Sequence, residues 1–126
     1  MSKRELTLTV LEDERTNSIY FGENELIAGY SGENLATQIN IALPLDWQKD
    51  ESARYQLYFL TGDNEAYNST PLKPPISYEL PNMLMAAGSL YLQIVMLCSD
   101  GSKKKSDMVR LTVKPSITSN LTLAET

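Results

Sequence analysis

Short segments with apolar and polar residues alternating at a period of two recur along this chain, and that pattern commits it to strands. Leu6-Thr7-Leu8-Thr9-Val10 is the first of them, with one face for a core and one for water. Gln38 to Leu43 puts Ile39, Ile41 and Leu43 on one side, and Pro44 ends it because proline brings no N–H to a ladder. Glu25 to Tyr30, Tyr55 to Leu60, Ala66 to Leu72 and Ile76 to Leu80 are further strand candidates, with Gly62-Asp63-Asn64 as a turn between two of them. Ser89 to Leu97 is the strongest: Leu90, Leu92, Ile94 and Met96 line one face and Tyr91, Val95 and Leu97 the other. A strand apolar on both sides is expected to be central in its sheet, or partly buried in an oligomer. Asp100-Gly101 predicts a hairpin, and Asp107 to Lys114 its return strand with Val109, Leu111 and Val113 inward.

Asn82 to Ala87 is the only helix-like piece. Its residues are good helix formers, with Asn82 placed to cap it and Gly88 to stop it, and its length suits a crossover between two sheets. Seven or eight strands spaced at about 8–12 residues predict an all-β, two-sheet antiparallel β-sandwich, immunoglobulin-like or fibronectin-like, with one short helical crossover. A jelly roll or small barrel is the alternative. The sandwich domain is expected over residues 1–115, with 116–126 as a polar tail or linker.

The residue inventory excludes several chemistries. In 126 residues, 42% apolar, there is enough material for a core without staples, and the single cysteine, Cys98, has no internal partner. No histidine is present, so the usual zinc sites and any Ser–His or Cys–His pair are out of reach. The carboxylates gather in expected turns, and Glu12-Asp13-Glu14 lacks the ligand spacing of a calcium loop. The glycines are scattered singly, without a phosphate loop or a Gly-x-Ser-x-Gly elbow. No catalytic, cofactor-binding or metal residue is predicted, and the chain reads as a structural or binding module and not as an enzyme.

Charge narrows the partners. A formal net charge of −5 argues against nucleic acid or an anionic membrane as the main partner. Lys103-Lys104-Lys105 reads as a solvated hairpin tip. The longest apolar stretch, Leu90 to Cys98, is far short of the ~20 residues a spanning helix needs. The start, Met1-Ser2-Lys3-Arg4, leads into an alternating segment instead of the apolar run of a signal peptide, which suggests synthesis in a reducing cytoplasm.

Three residues are candidates for interaction: Trp47, Tyr91 and Leu97. Trp47, just past Leu43-Pro44-Leu45-Asp46, would either stack on a sugar beside acidic loops or pack over an open end of the core. Tyr91 and Leu97 belong to the second apolar face of the 89–97 strand, which would suit an assembly surface, a homo-oligomer among the possibilities.

Taken in order, these segments resemble a family of phage tail proteins. The matching features begin with the Leu6-Thr7-Leu8-Thr9-Val10 strand, then Ile39-Asn40-Ile41-Ala42-Leu43-Pro44 followed by Trp47 and Tyr55-Gln56-Leu57-Tyr58-Phe59. They continue through Ser77-Tyr78-Glu79-Leu80-Pro81, Met83-Leu84, Gly88 and Leu90-Tyr91-Leu92-Gln93-Ile94 to Asp100-Gly101, and close with Val109-Arg110-Leu111-Thr112-Val113 and Ser116-Ile117. Over roughly residues 5 to 118 the chain is similar to the N-terminal domain of the phage upper baseplate protein family, from phages and prophages of Gram-positive bacteria. The resemblance implies a β-sandwich in the virion tail, docked onto other tail or baseplate proteins. A carbohydrate-binding or host-surface adhesion module, with cell-wall glycan as partner, is the alternative reading.

Overall fold

The computed structural model describes residues 3–117 and shows an all-β sandwich of two sheets. Ten strands follow one another: β1 Arg4–Asp13, β2 Ser18–Phe21, β3 Leu26–Tyr30, β4 Thr37–Ala42, β5 Arg54–Leu60, β6 Ala66–Asn68, β7 Ile76–Glu79, β8 Gly88–Leu97, β9 Lys103–Lys105 and β10 Val109–Lys114. The four-stranded sheet runs β2-β1-β4-β7, and the six-stranded sheet runs β3-β10-β8-β5-β6 with β9 also on β8. Two separate sheets leave no place for the barrel alternative.

The alternation read in the sequence is the alternation of burial. Leu8 and Val10 on β1 and Ile39 and Ile41 on β4 meet Leu57 and Phe59 on β5, Leu90, Leu92 and Ile94 on β8, and Leu111 on β10, all buried in one cluster. Burying a side chain of this kind is worth about 1.5–3 kcal/mol, so this inner layer is the dominant favourable contribution to the fold.

The sheets are mixed, not wholly antiparallel. β1 lies parallel to β4, and β10 parallel to β3. The cause is connectivity: β1 turns back through β2, the chain crosses to the second sheet for β3, and β4 returns to the free side of β1. A crossover of that length lets two strands run the same way. The expected helix is one 3-10 turn, Asn82–Leu84, between β7 and β8. Pro81 stands at its N-cap without a side-chain bond, and Gly88 opens β8 at φ 121° instead of closing a helix. Gly62 packs against the same junction, where an added Cβ would run into the Ala87 carbonyl.

Two interruptions escaped the sequence reading, and they are alike. From Asn68 to Leu72 the chain advances four residues while its partner β5 advances three, Tyr58 to Tyr55. From Lys105 to Val109 it again advances four against three on β8, Val95 to Leu92. Each is a β-bulge with a buried serine at its root. Ser69 Oγ accepts from the Leu57 N–H at 3.0 Å, and Ser106 Oγ accepts from the Ile94 N–H at 3.0 Å. The second bulge delays the expected 107–114 return strand, which begins as β10 at Val109, and the lysine run expected at the hairpin tip is itself the short strand β9, paired to β8. Of the expected tail, Ser116 is bonded to Ser31, while residues 118–126 lie outside the described residues.

Candidate docking surface

Trp47 is not a surface residue. Asp46 and Pro44 lead into a 3-10 turn, Trp47–Lys49, that drops the indole onto the open end of the core, where it is 2% exposed. Its ring stacks on Tyr55 with centroids 6.0 Å apart and planes 9° from parallel, and its Nε1–H donates to Glu12. The Tyr55 hydroxyl donates to the Trp47 carbonyl at 3.3 Å. Burial, then the nearby Asp50 and Cys98, raise the Tyr55 phenol above its ordinary range. The sugar-stacking role for Trp47 is therefore overturned: the indole is enclosed, with its ring stacked on Tyr55 and its N–H bonded to Glu12.

Tyr91 and Leu97 are brought together on one surface. β8 is central, paired to β5 on one side and to β10 and β9 on the other. Its even-numbered residues from Leu90 to Met96 are buried inward, while Tyr91, Gln93 and Leu97 are half-buried on the outer face. Register sets their neighbours. Tyr91 lies between Leu60 and Arg110, and Leu97 lies between Arg54 and Lys103. Val95, between Gln56 and Lys105, is fully buried although it points outward. Lys105 accounts for part of that cover, because its ammonium sits 5.7 Å over the Tyr58 ring. At each end of β8's outer row, then, an apolar side chain has a cation beside it.

The charge of this sheet differs in sign from that of the whole chain. Its strands carry Arg54, Lys103, Lys104, Lys105, Arg110 and Lys114 and no aspartate or glutamate. None of these six cations forms an ion pair among the described residues. The four-stranded sheet carries Glu5, Glu12, Asp13 and Glu79 against one cation, Arg4. Arg4 is itself engaged by Glu33 at 3.0 Å and by Thr37 at 2.7 Å. The Arg4 bond first, and then the Tyr30 N–H, hold the Glu33 carboxyl below its ordinary range. A chain of net charge −5 thus presents a cationic sheet face bearing half-buried tyrosine and leucine.

Sequence reasoning named Tyr91 and Leu97 but missed the cations beside them. Arg54, Lys103 and Arg110 lie far apart in the chain, and only the pairing register brings them alongside. The outward parity of Arg54 and Arg110 in their alternating strands was the available signal. A concavity lies elsewhere, an open cleft of about 990 Å³ between β2 and the start of β10 lined by Glu23, Glu25 and Asp107. No group of three or more metal-ligating side chains is present among the described residues, and none of their helices is long and apolar enough to cross a membrane. Neither a protein-family model nor a curated protein matches the chain.

Proposed function

We propose that this protein is a structural subunit of a bacteriophage or prophage tail or baseplate, assembled with other tail proteins and docked onto its neighbouring subunit through the outer face of the six-stranded sheet. The observation that supports it most is the in-register pairing of Tyr91 with Arg110 and of Leu97 with Arg54 and Lys103. Apolar anchors set among desolvatable cations are the composition of a protein-binding surface, where aromatic residues and arginine are enriched. The resemblance to upper baseplate proteins supplies the setting: assembly in the bacterial cytoplasm and residence in the virion. Sugar binding is less well supported, since Trp47 is enclosed and Lys105 covers the Tyr58 ring.

Mass spectrometry of tail particles purified from the source bacterium tests this reading. The protein should be found in the particles at a fixed ratio to other tail components. The Arg54→Glu/Lys103→Glu variant, folded by circular dichroism, should fall at least about tenfold in that ratio, since close charge reversals at an interface cost several kcal/mol. Absence of the unaltered protein from purified particles would refute the assignment.

A further inference from the structure

We infer that the cationic face of the six-stranded sheet takes as its partner the four-stranded sheet of a second copy of this chain, stacked head to tail. The inference rests on the docking role proposed for that face and names its occupant. Three observations lead to it.

The first is sign. The strands of one sheet hold only cations. On the outer face of the other, Glu79 is paired with Lys3 and Asp13 with Arg15, which leaves Glu5 as the carboxylate without an ion pair among the described residues. Two cationic faces therefore repel, and the unlike faces attract through Glu5. The second is texture. On the outer face of the four-stranded sheet, Gln38, Asn40 and Ser77 are bonded to one another at 2.7–3.0 Å, leaving a flat polar strip with few groups seeking a partner. Beside it, Leu11 and Tyr20 are partners in register and 39% and 38% exposed. They form an apolar pair of the same kind as Tyr91 with Leu60.

The third is spacing. On β1, Leu11 and the exposed Glu5 share the outer face six residues apart. On β8, Tyr91 and Leu97 also share a face six residues apart, and Arg54 and Lys103 flank Leu97. Both intervals span about 20 Å at the rise of a strand. Laying Leu11 and Tyr20 over Tyr91 and Leu60 therefore carries Glu5 onto Arg54 and Lys103. Stacked sheets tolerate the needed alignment within about 30°. Because the two faces lie on opposite sides of the sandwich, each added copy offers a fresh face, so the contact is heterologous and builds a ring or an open stack.

Sedimentation velocity on the purified full chain tests this, at about 20 mM and about 0.5 M salt, where the Debye length falls from about 20 Å to about 4 Å. Self-association that rises with concentration is expected at low salt, weakened at least about tenfold at high salt. Two surface variants then separate the faces. Glu5→Gln/Leu11→Ser keeps only the cationic face, and Tyr91→Ser/Lys103→Gln keeps only the acidic one. Each should be monomeric alone, with an unchanged circular dichroism spectrum, and their mixture should form dimers and nothing larger. A wild-type chain that stays monomeric at low salt into the millimolar range overturns the inference, as does a mixture that fails to dimerise while the wild type associates. Salt-sensitive capture of a different acidic tail protein by a monomeric wild type would also overturn it. In each of those cases the particle-composition test still decides the docking role by itself.

Discussion

Replacing Trp47 with alanine should destabilise the fold by about 3–5 kcal/mol, the range for removing a large aromatic side chain from a core. The upper half is expected because the residue is 2% exposed and its ring is stacked on Tyr55. The loss corresponds to a fall in Tm on the order of 15 °C. Trp47→Phe isolates one part of the effect. It keeps a ring on Tyr55 and removes the N–H bond to Glu12. Glu12 is exposed and regains water, so that bond is worth only about 1 kcal/mol. Urea unfolding followed by far-ultraviolet circular dichroism measures both variants. In the wild type, emission from the only tryptophan should shift to the red in the same transition. A Trp47→Ala variant within about 1 kcal/mol of wild type would refute the enclosed position, as would wild-type emission of the solvent-exposed kind.

Three further outcomes follow from the geometry. Because Glu33 titrates lower in the folded than in the unfolded chain, its stabilisation is complete above the ordinary carboxylate range and lost as pH falls through its folded value. Glu33→Gln should therefore cost about 0.5–1 kcal/mol at pH 7, a partly exposed pair being screened, and cost progressively less in acid unfolding curves. Gly62→Ala should cost more than about 2 kcal/mol in urea unfolding, since the clash is with the Ala87 backbone and not with a movable side chain. Ser106→Ala should cost about 1–3 kcal/mol by leaving the Ile94 N–H buried without an acceptor, as thermal denaturation will show.

The strands were legible because burial and alternation are the same physical fact. β4 and β10 alternate with a period of two, and Ile39, Ile41, Val109, Leu111 and Val113 are buried on the side the sequence assigns them. β2 was missed because Ser18 to Phe21 is short and lies among turn formers. The parallel pairings were missed because period and turn signals report faces, not neighbours; nothing local distinguishes a β4 beside β1 from a β4 beside β3. The helix over 82–87 was over-read, since Met and Ala favour a helix but Pro81 and the start of β8 leave room for a single turn. Trp47 was legible as a choice between stacking on a ligand and closing the core, and the 3-10 turn decides for the core. Tyr91 and Leu97 were legible as outward apolar residues, whereas their cationic neighbours needed the register.

The paired serine bulges have a consequence for the middle of the six-stranded sheet. Leu57 and Ile94 face each other across β5 and β8. The N–H and carbonyl of Leu57 are both turned outward to Ser69, and those of Ile94 to Ser106. Gln56 and Gln93, one residue earlier in each strand, donate to the carbonyls of the same two serines. The arrangement has a local two-fold axis through the Leu57–Ile94 pair. On that axis no ladder bond joins the strands, and two fully buried aliphatic side chains hold them together. Amide exchange at Leu57 and Ile94 would thus report the hold of two serine hydroxyls on the sheet's flanks, and opening there would loosen both halves of the outer face together.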